Sequence, residues 1–339
     1  MKNKFLTADE IYNRMMNEIA PLPCQQDYAK QLSAIFAYHY RKNMLMDAGF
    51  SADSIPYQGG LVVAPSGQGK TYLLQAAAKV LDMNVICLDA STISHEGWKG
   101  PSLSQQLLGS KRALNNDEKW EKSILFLDEF DKIRLYGTVH DQGNVMENIL
   151  QLYNQGSIAA ESEGKLVEML DVSRFTIILG GAFEGIEKII ERRLTPKQGV
   201  GFTSSLSTTK LSKQELLQKV KLTDLQEYGF IPEILGRISS VFSIAPMTID
   251  DYRCLLSAEK GSISYKYNNY FHFAYGIEFS IEESAISYIS NKCMNSTTGA
   301  RAINPLINDI IRDAFIMVDR DTSINKIILM ANEANCYLH

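Results

Sequence analysis

Along the first two-thirds of the chain, short apolar runs alternate with segments whose apolar residues recur at helical spacing. From Asp27 to Met46 the residues Leu32, Ile35, Phe36, Tyr38 and His39 trace one face, after a Pro21-Leu22-Pro23 entry, which predicts an amphipathic helix. Gly59-Gly60 precedes the apolar run Leu61-Val62-Val63, a buried strand, and the helix formers Leu73 to Ala78 predict a helix over Thr71 to Leu81. A strand over Asn84 to Asp89 leads into a polar loop, Ala90 to Pro101, and a helix from about Ser104. Ile124 to Leu127 is the next buried strand, and Gly143 to Gln155 is helical. Ser157 to Met169 reads as a hairpin turning at Ser162-Glu163-Gly164. Phe175 to Leu179, ending at Gly180-Gly181, and Val241 to Ile244 complete five strands. Strands alternating with helices imply an α/β fold with a parallel sheet flanked by helices.

Pro196 to Lys213, rich in Ser, Thr, Gly and Lys, reads as an exposed loop. After Pro246 the pattern changes to helices over Ile249–Ser257, Ser262–Tyr275, Ile281–Met294 and Ala302–Val318, with Lys326–Met330 extended. The expected domains are therefore 1–245, a large α/β domain with an amino-terminal helix, and 246–339, smaller and mainly helical.

The first strand runs into Ala64-Pro65-Ser66-Gly67-Gln68-Gly69-Lys70-Thr71-Tyr72. Small residues there let consecutive backbone N–H groups turn inward around a polyphosphate, Lys70 reaches the terminal phosphates, and the Thr71 hydroxyl ligates Mg²⁺. The strict pattern places Gly where this chain has Ala64, a position alanine fills when φ is negative. Ile124-Leu125-Phe126-Leu127 ends in Asp128-Glu129, one carboxylate for the metal and one to orient a water at the γ-phosphate. In parallel sheets ligands bind at the carboxyl ends of strands, where both motifs lie, so they converge on one ATP site.

Bulk properties narrow the partners. No apolar run approaches a membrane span, and the Met1-Lys2-Asn3-Lys4 start lacks the apolar core of a secretory signal. A net charge of −5 gives no support for nonspecific duplex binding, so neither a membrane nor a nucleic-acid partner is expected. The five cysteines are scattered and never paired as C-x-x-C, which argues for reduced thiols in a cytoplasmic protein.

The motif set resembles AAA+ ATPases of the ClpX type, hexameric unfoldases that feed a ClpP peptidase, from about Glu10 to Ile328. Ile124 to Ile133 looks like that family's Walker B strand and extension, and Gly180-Gly181-Ala182-Phe183 like its block after the fourth strand. Tyr228 to Arg237 resembles its arginine-finger block, and Thr298-Gly299-Ala300-Arg301 its sensor-2 block. The resemblance implies that Arg237 enters a neighbour's ATP site and that Arg301, at the start of the last long helix, touches phosphates from the small domain. Asn304-Pro305 follows Arg301, which allows that helix to begin later. Gly97-Trp98-Lys99-Gly100 sits where the family carries an aromatic pore loop that grips an unfolded chain, with Trp for the usual Tyr. Val200-Gly201-Phe202 is similar to the family's peptidase-docking loop.

Three departures accompany the resemblance. Residues 1–9 do not hold the family's amino-terminal zinc-binding domain, which is expected to be absent. The basic pore-entry loop is replaced by an acidic stretch from Ala159 to Glu168. No Asn or Thr near Leu179 offers a sensor-1 residue. The implied function is an ATPase acting as a homohexameric ring on a polypeptide substrate, with Mg²⁺-ATP as cofactor and a ClpP-like peptidase as candidate partner. The alternative is a protease-independent remodeller of a protein or protein–nucleic acid complex.

Overall fold

The computed structural model describes residues 5–93, 101–134, 139–154, 156–162, 165–195, 211–259, 261–296, 298–332 and 335–339. The chain folds as two compact units: Met1–Met15 with Asp27–Ala64 and Lys70–Ala245, and Met16–Gln26 with Pro65–Gly69 and Pro246–His339. The loop of the first motif thus belongs to the second unit, while the residues on either side of it belong to the first.

In the first unit the strands are β1 (Gly60–Val63), β2 (Val85–Asp89), β3 (Ile124–Asp128), β4 (Ser157–Ser162), β5 (Lys165–Asp171), β6 (Thr176–Gly181) and β7 (Ser240–Ser243). Five form a parallel sheet in the order β2-β3-β6-β1-β7, with Gly60 opposite both Ile178 and Ser240 and Ile124 opposite Val85 and Thr176. Leu61, Val62, Val63 and all of Ile124 to Leu127 are fully buried, as strands covered on both faces require. The helix Lys70–Val80 carries the chain from β1 to β2 at one edge, and β3 and β6 then step back to β1. β7 follows on the other side of β1, so the order reverses there, the kind of switch point at whose carboxyl end parallel sheets bind ligands.

β4 and β5 pair as the expected antiparallel hairpin, with a register shift between Ala160 and Glu161. Ile158, Ala160 and Leu170 face inward and are buried, whereas Leu166, Val167 and Met169 are exposed. The hairpin rests on the helix Leu103–Leu114, whose Gln105 donates to the Glu161 carbonyl at 3.0 Å and whose Lys111 pairs with Glu168. That helix starts where Ser102 and Gln105 cap one another's backbone N–H groups and stops at Asn115, φ 49°.

The second unit holds helices Ile249–Leu256, Ile263–Tyr275, Glu283–Met294 and Ile303–Arg320, and a small sheet β10-β9-β8. Its strands are β8 (Glu278–Ile281), β9 (Lys326–Ala331) and β10 (Cys336–Leu338). Only β9 was expected to be extended. Phe279 and Ile281 are buried and alternate with Glu278 and Ser280, a strand alternation too short to separate from the helix that follows. The segment Met16–Gln26 folds here through Cys24, whose N–H donates to the buried Asp251 carboxylate at 3.0 Å. Among the described residues no helix is long and apolar enough to cross a membrane.

Candidate nucleotide site

At the carboxyl end of β1 the Ala64 N–H donates to the Gly181 carbonyl of β6 at 3.1 Å. The Ala64 carbonyl in turn accepts the Lys70 ammonium at 2.8 Å, and Lys70 is 8% exposed. Beside it the Thr71 hydroxyl donates to Asp128 Oδ2 at 2.6 Å, which joins the start of the helix after the loop to the end of β3. The other Asp128 oxygen accepts the Glu129 N–H at 2.9 Å. Glu129 is exposed and sits at φ 52°, the left-handed region that a side chain with a Cβ rarely adopts. Tyr72 is half-exposed on the same helix.

Several contacts of the loop residues Ser66 to Gly69 fall within the second unit. Gly67 and Gly69 take φ values of 78° and 83°. A Cβ on Gly67 would fall 2.0 Å from the Thr298 carbonyl oxygen, and one on Gly69 2.3 Å from Gln25 Nε2, so neither position accepts a side chain. The Ala300 N–H donates to the Gly67 carbonyl at 3.1 Å, and Gln25 Nε2 to the Gln68 carbonyl at 2.9 Å. Arg301 Nη1 donates to Ser66 Oγ at 3.0 Å. The last long helix begins after Arg301: residues Gly299–Ala302 form a 3-10 turn and the α-helix runs from Ile303, with Pro305 in its first turn.

These donors fit a magnesium nucleotide. Within the first unit, a buried ammonium and a hydroxyl in contact with a carboxylate are groups that suit phosphates and a hard cation. Thr71 and Asp128 are in direct contact at this end of the sheet, beside Lys70. Arg237 is not among them: it is exposed beyond the short helix Pro232–Leu235 and donates to Asn154 Oδ1 at 2.6 Å. Gly97, Trp98, Lys99 and Gly100, and Val200, Gly201 and Phe202, lie outside the described residues. Sequence reasoning gave Tyr28 and Gln25 no role. Tyr28 donates its hydroxyl to the Lys70 carbonyl at 3.1 Å, and burial holds its phenol well above the ordinary value, so it stays a donor. The signal for Tyr28 was a lone hydroxyl on the buried face of a helix, which marks no chemistry by itself.

A model for an AAA domain (Cdc48 subfamily) matches residues 57–241, the sheet and both nucleotide motifs. The chain belongs to this AAA family. A model for the C-terminal, D2-small domain of ClpB protein matches residues 268–318 in the second unit. The chain is 28% identical over 305 residues to the ATP-dependent Clp protease ATP-binding subunit ClpX of Porphyromonas gingivalis, covering 85% of this chain and 73% of that one. The ClpX of Bacteroides thetaiotaomicron is 28% identical over 313 residues, 88% of this chain and 74% of its own length. ClpX 3 of Methylococcus capsulatus is 25% identical over 332 residues, covering 91% and 76%. These matches make the chain an AAA+ ATPase whose likeness is to the ClpX type.

Proposed function

We propose that this AAA+ protein is an ATP-driven protein unfoldase and translocase that works as a ring of six copies. The observation that carries the reading is the split of the hydrolytic groups. Lys70, Thr71, Asp128 and Glu129 meet at one sheet end, while Arg237 stands exposed on Asn154, outside that group. A second copy completes such a site when its Arg237 enters the neighbour's. Arginine fingers contribute ~10³–10⁵ in rate where they act.

The loop from Pro65 to Gly69, through its backbone amides, and Lys70 would hold the β- and γ-phosphates, with Thr71 and Asp128 on Mg²⁺. Tyr72 lies in the first turn of the helix after the loop, and Arg301, hydrogen-bonded to Ser66, would touch the phosphates from the second unit, to which the loop also belongs. Bound Mg²⁺-ATP supplies the anhydride whose cleavage releases the free energy. Glu129 orients the attacking water and accepts its proton, and Arg237 balances charge at the neighbour's phosphates.

Trp98, between Gly97 and Lys99-Gly100, grips polypeptide by apolar contact that is indifferent to sequence. On the hairpin, Leu166, Val167 and Met169 are exposed near the acidic Glu161 and Asp171, which favours apolar or basic segments over acidic ones. Val200, Gly201 and Phe202 would dock a ClpP-like peptidase.

The test is ATP-dependent unfolding of a stably folded fluorescent substrate, measured beside phosphate release. Trp98→Ala retains hydrolysis and loses unfolding. Unfolding at the wild-type rate by that variant removes the pore assignment, and a chain that stays a single copy in saturating ATP removes the ring.

A further inference from the structure

Burying a carboxylate is costly unless its oxygens are matched, and Asp131 is 1% exposed in the turn Phe130–Arg134 that follows Glu129. One oxygen accepts the Ala182 N–H at 3.2 Å. The other makes no hydrogen bond among the described residues and lies 3.7 Å from the Lys132 ammonium. β6 leaves room for this side chain by ending in glycine. A Cβ on Gly181 would fall 2.3 Å from Asp131 Oδ1. Gly181 is also the residue whose carbonyl accepts the Ala64 N–H, and Ala64 holds the Lys70 ammonium. One buried carboxylate therefore ties the turn after β3 to the end of β6, and through it to the root of the phosphate loop.

Both chain segments that meet at this carboxylate are strained. Glu129 has φ 52° and Phe183, just past Ala182, has φ 51°. Such backbone persists only where the surroundings over-determine it. The Glu129 carbonyl accepts the Lys132 N–H at 2.9 Å. Phe130 stacks on Phe230 with centroids 5.0 Å apart, and Phe183 meets the same ring at 5.7 Å. The aromatic rings close the far side of the turn, and Asp131 is the only side chain of the turn with a hydrogen bond to β6's exit among the described residues.

We propose that Asp131 is a positioning residue that holds Glu129 in its left-handed conformation, aligned with the Lys70–Asp128 group, and so sets the rate of hydrolysis without touching nucleotide. This rests on the reading of Glu129 as the group that orients water. Gly181 serves the same arrangement by leaving space for the carboxylate.

The experiment measures ATP turnover and equilibrium nucleotide binding of the full chain for Asp131→Ala, Asp131→Asn, Gly181→Ala, Glu129→Gln and the Asp131→Ala/Glu129→Gln pair. Asp131→Ala lowers kcat on the order of 100-fold, the cost of a small misplacement at a reacting centre, and leaves the nucleotide Kd within about twofold. Asp131→Asn keeps an acceptor for the Ala182 N–H and restores most of the rate. Gly181→Ala evicts the carboxylate and reproduces the loss, which keeps the test open should Asp131→Ala not fold. Added to Glu129→Gln, Asp131→Ala causes no further loss of residual turnover, whereas a general packing defect multiplies with it. Wild-type kcat in both Asp131→Ala and Gly181→Ala overturns the proposal, as do equal losses for Asn and Ala or multiplicative losses in the pair. Wild-type turnover by Glu129→Gln would sink the reading of Glu129 and this proposal with it. Slow Glu129→Gln beside fast Asp131→Ala and Gly181→Ala sinks only the role of Asp131.

Discussion

The two ends of the five-stranded sheet are built on opposite terms. At the carboxyl end, Glu129 and Phe183 hold left-handed backbone and Glu129 is exposed. At the amino end, polar side chains of the helix Gln26–Asp47 are buried and tied to the starts of strands. His39 Nε2 donates to the Lys122 carbonyl at 3.0 Å, and its Nδ1 accepts the Thr176 hydroxyl at 2.9 Å, the tautomer these partners require. The Lys42 ammonium donates to the Phe175 carbonyl at 2.8 Å, and the Tyr57 hydroxyl accepts the Ile177 N–H at 3.1 Å. Burial pushes His39 down to about 4, and burial with the nearby Arg174 charge pushes Lys42 down to about 8. One end spends stability on geometry at a reacting centre, and the other supplies order.

The widest separation between the ends is expected in Glu129→Gln. It lowers kcat by about 10²–10⁴, the usual worth of a general base, and leaves the thermal midpoint alone. Phosphate-release kinetics beside a melting curve check both halves, and an unchanged kcat breaks the comparison at its chemical end.

The amino end answers to pH instead. The His39 value falls from an ordinary 6.5 to about 4 on folding, so protons prefer the unfolded chain between those values. Stability from neutral His39 is therefore complete above pH 6.5, declines as pH falls, and levels off below 4, a loss on the order of 3 kcal/mol. Lys42 is protonated in both states across that window and adds nothing to the slope. Denaturant titrations from pH 7 to 4 should show a shallower decline in His39→Gln than in the parent. The same slope in both would mean that this histidine is not a store of pH-dependent stability.

The smallest change in stability is the most diagnostic. Glu129→Gly fits the φ of 52° without a Cβ, so it abolishes turnover yet raises stability by about 1 kcal/mol or less. A lowered midpoint in that variant would show that the left-handed turn carries no strain.

Much of this was legible because the signals were local. Apolar runs placed all five strands of the sheet, and the small-residue loop and the Asp128-Glu129 pair marked where its ligand end lies. Gly180 and Gly181 were visible as a motif, but their reason was not. Phe126 at 2.6 Å and Asp131 at 2.3 Å from the missing Cβ atoms come from other strands and turns. Tyr28, Gln25 and Asn154 escaped because each acts through one long-range hydrogen bond, which leaves no periodicity behind. β8 and β10 escaped because Glu278–Ile281 and Cys336–Leu338 are too short for alternation to outweigh neighbouring helical pattern.

The tie between Cys24 and Asp251 joins positions 227 apart in the chain. During synthesis the segment Met16–Gln26 emerges well before the helix Ile249–Leu256 that captures it, and waits while the intervening chain is made. Contacts of such separation slow folding, because the intervening chain must be ordered or looped before they close. The second unit thus closes only after Asp251 has been made, and a chain interrupted between Cys24 and Asp251 leaves the segment Met16–Gln26 open to capture by chaperones or proteases.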